Sequence, residues 1–152
     1  MARKGPRRLV LAVIALLVVL AFLGRRTGMI PGPAEAFDPS DYRDVPVLSS
    51  QEADRHVGAR AVVCGEVVNA VLASGTRGQP TFLNLDRAYP EQPFDLVVWG
   101  RHRDAFQPPP ERAYLGESVC AAGRITEHQG VPRIEVTTPE QIRPASELGG
   151  GG

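Results

Sequence analysis

Five segments rich in Val, Leu, Ile, Thr and aromatic residues, each bounded by Gly, Pro, Asn or Asp, lie between Arg60 and Thr137 of this chain. Their order constrains the fold more than any other feature. Arg60–Leu72 (RAVVCGEVVNAVL) comes first and is the longest, with Gly65 inside it at a position expected to bulge or bend. Thr81–Leu85 and Phe94–Trp99 follow, separated by the turn-like DRAYPEQP. Glu117–Glu127 and Pro132–Thr137 come last, joined by His128-Gln129-Gly130, a hairpin signal. Ala73–Gln79 reads as a loop, Ser49–His56 as a short helix capped by Ser49 or Ser50, and Thr138–Ile142 as a closing turn. The polar stretch Gly100–Gly116 crosses between the third and fourth strands, with one helical turn expected at Arg101–Phe106.

Alternating strands in so short a chain leave open edges unless the sheet closes on itself. A long first strand, a non-strand crossing after the third and a final hairpin is the order of a five-stranded Greek-key OB-fold barrel. Periodicity alone also admits a small open sandwich. The expected class is therefore all-β with short helical turns, and no internal repeat argues for a solenoid.

The N-terminal region belongs to a different environment. Leu9–Leu23 (LVLAVIALLVVLAFL) is an unbroken apolar run between RKGPRR and Gly24-Arg25-Arg26. As a helix it would be about 22 Å long, short against a hydrocarbon core of roughly 30 Å. Both a signal-peptide core and a short span with snorkelling arginines fit that length. The one small-residue cleavage pattern, Ala34-Glu35-Ala36, lies far downstream beyond Arg25, Arg26, Pro31 and Pro33, which favours retention as one transmembrane helix. No Cys directly follows the run, so a lipid anchor is not indicated. More basic residues precede the run than follow it, which places the N-terminus in the cytoplasm and the body outside. The expected layout is a signal-anchor at 1–28, a Pro/Asp-rich linker at 29–48, the β domain at 49–143 and a Gly-rich tail at 144–152.

Charge divides along the same line. The chain is formally neutral, with 17 basic and 17 acidic residues, but six of the basic ones lie at or before Arg26, where no acid occurs. The remainder carries a net −6, which excludes a histone-like or broadly basic DNA coater.

The stretch VGARAVVCGEVVNA…PTFLNLDRAYPEQPFDLVVWG…RAYLGESVCAAGRITEHQGVPRIEVTTPEQI resembles a widespread group of small bacterial OB-fold proteins. The resemblance runs from about Val57 to Ile142. It rests on TFLNL, on the Tyr89-Pro90…Phe94 turn, and on G-x-x-V-C-x-x-G-x-I from Gly116 to Ile125 followed by GVPRI. Members of that group are described as nucleic-acid-binding by prediction, and some occur beside or fused to nuclease-like domains. The resemblance implies an OB barrel and single-stranded DNA or RNA as ligand. An anchored, extracytoplasmic OB barrel also resembles the haem chaperones of cytochrome assembly. Their ligating His and partner Tyr lie in a C-terminal tail, and here no His or Tyr follows His128.

Catalysis is not expected. G-x-S-x-G, H-E-x-x-H and the P-loop pattern are absent, and the single Lys lies in the N-terminal tail. His56, His102 and His128 fall in three separate loop or turn segments without metal-ligand spacing, so neither metal nor cofactor is expected. Cys64 and Cys120 each sit mid-strand after a Val. In an OB barrel the first and fourth strands are neighbours, so a disulfide is expected in an oxidising compartment, the alternative being two buried small hydrophobes.

A nucleic-acid surface needs stacking aromatics and a positive track. Trp99, Tyr89 and Phe82 lie on or beside the second and third strands, the face OB-folds commonly use, and Arg77, Arg101 and Arg133 supply cations. Arg87 and Arg124 lie nearby. Alternation places Phe94, Leu96 and Val98 on one face, the core, and leaves Trp99 out of phase with them. The expected function is a membrane-anchored binding module for single-stranded nucleic acid or another oligomer on the barrel face. The alternative is an envelope protein–protein interaction domain.

Overall fold

A computed structural model describes Asp38 and residues 42–148. The apolar run at 9–23, and with it the expected transmembrane helix, lies outside the described residues. Among the described residues no helix is long and apolar enough to cross a membrane.

The regular structure among the described residues is mostly β. Strands run β1 Val47–Ser49, β2 Arg60–Leu72, β3 Thr81–Leu85, β4 Phe94–Val98, β5 Ser118–His128, β6 Val131–Glu135 and β7 Ile142–Pro144. Among the described residues, helical structure is limited to α1 (Pro110–Ala113), α2 (Ala145–Leu148) and short 3-10 turns, the longest at Gly100–Ala105. Successive pairings link β2 to β3, β3 to β4, β4 to β6, β6 to β5, and β5 back to β2. The ring is thus closed, with β4–β6 its one parallel pair. Closure leaves its five members without a free edge along the paired lengths, as a chain this short requires.

Two strands lie beyond the five expected. β1 runs parallel to β2 from Val47↔Val62 to Ser49↔Cys64, and β7 runs antiparallel to β5. Both are too short to show a period of two. β1 begins inside the stretch read as linker, and α2 lies inside the stretch read as tail. Described secondary structure is therefore present on both sides of 49–143. The two flanks meet in a small cluster where Tyr42, Val45, Ala145 and Leu148 pack over Val62, Cys120 and Ala122. The Tyr42 hydroxyl donates to the Gln141 carbonyl, and burial pushes its pKa up to about 12.

Inside the ring, alternation holds as the sequence requires. Phe94, Leu96 and Val98 of β4, Leu83 and Leu85 of β3, and Ile125 and Ile134 of the closing hairpin are all fully buried in one core. The hairpin turns on Gln129 and Gly130, both with positive φ, which is the two-residue geometry matched to strand twist. Between β4 and β5, Phe106 packs edge-to-face on Tyr114 at 6.4 Å. Arg103 pairs bidentately with Glu111 and donates to Thr81 Oγ1 at 2.7 Å, tying the crossing segment to the start of β3.

The irregularity in β2 is not at Gly65. That residue stays in register opposite Val119, and its reason is close approach: a Cβ there would lie 2.8 Å from Asp86 Oδ2. The extra residue is Val68, because Val67 pairs with Leu85 while Asn69 pairs with Asn84. One surplus residue reverses the facing of every side chain after it. Val67 points inward, and beyond the bulge Ala70 packs on the core while Asn69 and Val71 face out.

Candidate ligand-binding site

The outward positions created by the bulge line one wall of a cavity of about 600 Å³. Asn69 and Val71 of β2, Phe82 and Asn84 of β3, Asp95 of β4, and Val131 and Arg133 of β6 converge there. Tyr89 and Gln92 come from the β3–β4 turn, and His128 and Gln129 from the hairpin. The register explains the convergence: Val71 is opposite Phe82, Asn84 is opposite Asp95, and Asp95 is opposite Arg133.

The polar floor is ordered by one carboxylate. Asn84 Nδ2 donates to Asp95 Oδ1 at 2.6 Å, Gln92 Nε2 donates to Asp95 Oδ2 at 3.3 Å, and Asn69 Nδ2 donates to Asn84 Oδ1 at 3.1 Å. An ionised carboxylate only accepts, so it turns both neighbouring amides nitrogen-first and, through Asn84, the third as well. Burial raises the Asp95 pKa above its ordinary value, opposed by the bonds from Asn84 and Gln92 and by the charge on Arg133. Gln92 Oε1 and Arg133 Nε are buried in the protein interior with no hydrogen-bond partner. Gln92 itself is only 8% exposed. Arg133 also lies 3.8 Å from Glu135.

Of the six residues expected to face a ligand, the structure brings Phe82, Tyr89 and Arg133 to this cavity. Trp99, Arg101 and Arg77 do not line it. Trp99 extends β4 by one residue in extended backbone, in phase with Asp95 and Val97. The Arg101 guanidinium lies 5.8 Å from its ring centroid. Gly78, at φ +83°, lies directly against Trp99, since a Cβ there would be 3.0 Å from Trp99 Cε3; Arg77 is exposed next to it. The span of strand from Asp95 to Trp99 is about 13 Å at strand rise, so two groups share the outer face of β4.

Sequence reasoning missed Asn69, Asn84, Gln92 and Asp95. A polar residue at an interior position of an apolar strand, as in TFLNL and FDLVV, is the signal that would have found two of them. His128, read as a surface residue, is exposed at the cavity rim. His102 accepts from Arg101 Nε at 3.0 Å, and burial together with the Arg101 charge lowers its pKa. Cys64 and Cys120 are direct partners in the β2–β5 ladder, with sulfurs bonded at 2.04 Å, on the side of β2 away from the core. Among the described residues no group of three or more His, Cys, Asp or Glu is placed to hold a metal ion.

No protein-family model matches the chain. No curated protein sequence matches it either. A solved structure described as a putative aspartyl-tRNA synthetase from Leishmania major Friedlin aligns with a TM-score of 0.41 at 10% identity. The alignment covers 68% of this chain and 21% of that one.

Proposed function

We propose that this chain is a membrane-anchored, extracytoplasmic and non-catalytic OB-fold module that binds single-stranded nucleic acid on the outer face of its ring. The strand order supports the fold reading. A long first strand paired with both the second and the fourth of the ring, and a third paired in parallel with the fifth, is the OB arrangement. One observation carries the ligand reading: Phe82, Tyr89 and Arg133 surround one cavity on that face. Aromatic rings stack unpaired bases without regard to sequence, and a neighbouring arginine adds a cation. The Trp99–Arg101 stack further along β4 supplies a second platform at a distance suited to an extended strand. The apolar run with flanking arginines supports the anchor, and the disulfide is compatible with an oxidising compartment.

The test is a titration of the full chain in detergent micelles with labelled single-stranded DNA, at about 50 and 200 mM salt. Micromolar or tighter binding that weakens at least tenfold in Tyr89→Ala and Phe82→Leu is the expected result. No binding at the lower salt concentration retires the nucleic-acid reading in favour of an envelope protein partner.

A further inference from the structure

We propose that His102 is a pH-dependent latch on Arg101: as a neutral imidazole it holds the guanidinium against Trp99, and on protonation it releases it. The latch regulates the second platform of the nucleic-acid reading above, and rests on that reading for its ligand only.

Trp99, Arg101 and His102 share one turn, anchored by two backbone bonds. The His102 N–H donates to the Trp99 carbonyl at 2.8 Å, and the Gly100 N–H donates at 2.9 Å to the carbonyl of Gly78 in the loop before β3. The Arg101 side chain is exposed and touches both neighbours. Its guanidinium lies 5.8 Å from the Trp99 ring centroid, and its Nε lies 3.0 Å from His102 Nε2. An arginine only donates, so His102 Nε2 carries a lone pair and the proton of the neutral ring sits on Nδ1. Protonation turns Nε2 into a second donor, which removes the bond and sets two positive charges against each other across 3.0 Å. Attraction to the face of an exposed ring is weak and does not hold Arg101 against that repulsion. The turn itself stays in place, so only the Arg101 side chain has to move.

Imidazole is the side chain whose ordinary range puts its change of charge near neutral pH. Two charged groups act on His102: Arg101 of its own turn, and Glu135 of β6. Burial and the Arg101 charge lower its pKa from the ordinary 6.5, and Glu135 opposes them. Glu135 lies opposite Val97 and 3.8 Å from Arg133, so it already has a permanent cation beside it. The latch is therefore closed at neutral pH and opens in acid, below 6.5. Opening adds a charge at His102 and frees the Arg101 guanidinium for a phosphate beside Trp99. Each added phosphate contact by a cation strengthens binding to a nucleic-acid backbone.

Trp99 is the chain's single tryptophan, so its emission reports the latch without any ligand. The experiment titrates the full chain in detergent micelles from about pH 8 to about pH 5, the range in which imidazoles change charge. The expected result is an emission transition centred below the ordinary 6.5. It should be lost in Arg101→Gln and in His102→Gln, whose amide carbonyl accepts the Arg101 Nε–H at every pH. Flat emission from the native protein overturns the inference, and that measurement needs no variant. A transition that survives His102→Gln belongs to another group and overturns it as well. One that survives Arg101→Gln but not His102→Gln is the imidazolium acting on the indole directly, which overturns the release of Arg101. Labelled single-stranded DNA at about 50 mM salt is expected to bind more tightly in acid, with a gain about threefold larger for the native protein than for His102→Gln. An equal gain in both overturns the regulation and leaves nucleic-acid binding standing. A Trp99 transition with no oligonucleotide bound at either pH supports the latch and removes the nucleic-acid reading.

Discussion

Asn69 and Asn84 face each other across β2 and β3 with their amides 3.1 Å apart, and they do so because Val68 is surplus to the ladder. Without that bulge Asn69 would point into an apolar core. With it, the asparagine becomes the far end of a hydrogen-bond series that starts at Asp95, so a backbone irregularity in one strand and a charge in another form one polar surface.

Asp95 gives the first prediction. Its folded pKa is raised by burial, so the native state binds the proton more tightly than the unfolded chain does. The penalty for burying the charge is full above the folded pKa and disappears as pH falls below the ordinary value of 3.8. Stability of the native protein relative to Asp95→Asn should therefore shift in favour of the native protein on acidification through that window. Denaturant melts of both proteins between about pH 3 and 7 check it, and a difference that does not change with pH contradicts it.

Glu111 titrates with the opposite sign. The bonds from Arg103 hold its carboxyl below the ordinary value of 4.5. The stabilisation is present above that value and is lost as pH falls through the folded pKa. The pair is partly exposed, so Glu111→Gln should cost about 1 kcal/mol at neutral pH and progressively less in acid. A double-mutant cycle with Arg103→Ala, repeated at low pH, measures it.

Gly123 has its reason in packing. A Cβ there would lie 2.7 Å from Ile134 Cγ2, across the bend where β5 leaves β2 for β6. Gly123→Ala should destabilise by about 1–3 kcal/mol through overpacking. Ile134→Ala removes that methyl, so Gly123→Ala should cost less in an Ile134→Ala background than in the native one, and an equal cost in both would count against the contact.

The longer strands are legible in the sequence because a half-buried strand of sufficient length leaves a period of two. In β4 all five positions are buried, and the period survives only in which residues join the central core, Phe94, Leu96 and Val98. The cavity is legible only in part. In VVN the residues on either side of Val68 fit both phases equally well, so nothing local says that Asn69 turns outward. Gln92 sits in a Pro-rich turn without a period, so nothing in the local pattern marks it as buried. Trp99 is out of phase with the core, as alternation requires, but phase fixes a face and not a neighbourhood, and the cavity lies further back along β4. Tyr42 and Val45 read as linker because their partners, Cys120 and Ala122, belong to β5, near the other end of the chain.

The last prediction concerns the Cys64–Cys120 bond. It joins cysteines 56 residues apart in the chain and lies beneath the cluster in which Tyr42 and Val45 meet Ala145 and Leu148. Constraining the unfolded chain over that length stabilises the fold by about 4 kcal/mol on the chain-entropy argument. Replacing both cysteines with Ala should therefore lower the denaturation midpoint substantially, and reductant should bring the native protein close to the double variant while leaving the variant unmoved. Because the bond is on the side of β2 away from the core and the cavity is built on its other half, beyond Val68, oligonucleotide affinity under native conditions should change by less than about threefold. A large loss of affinity in a variant that still melts cooperatively would mean that the outer cluster and the cavity are coupled through β2, with the bulge as the joint between them.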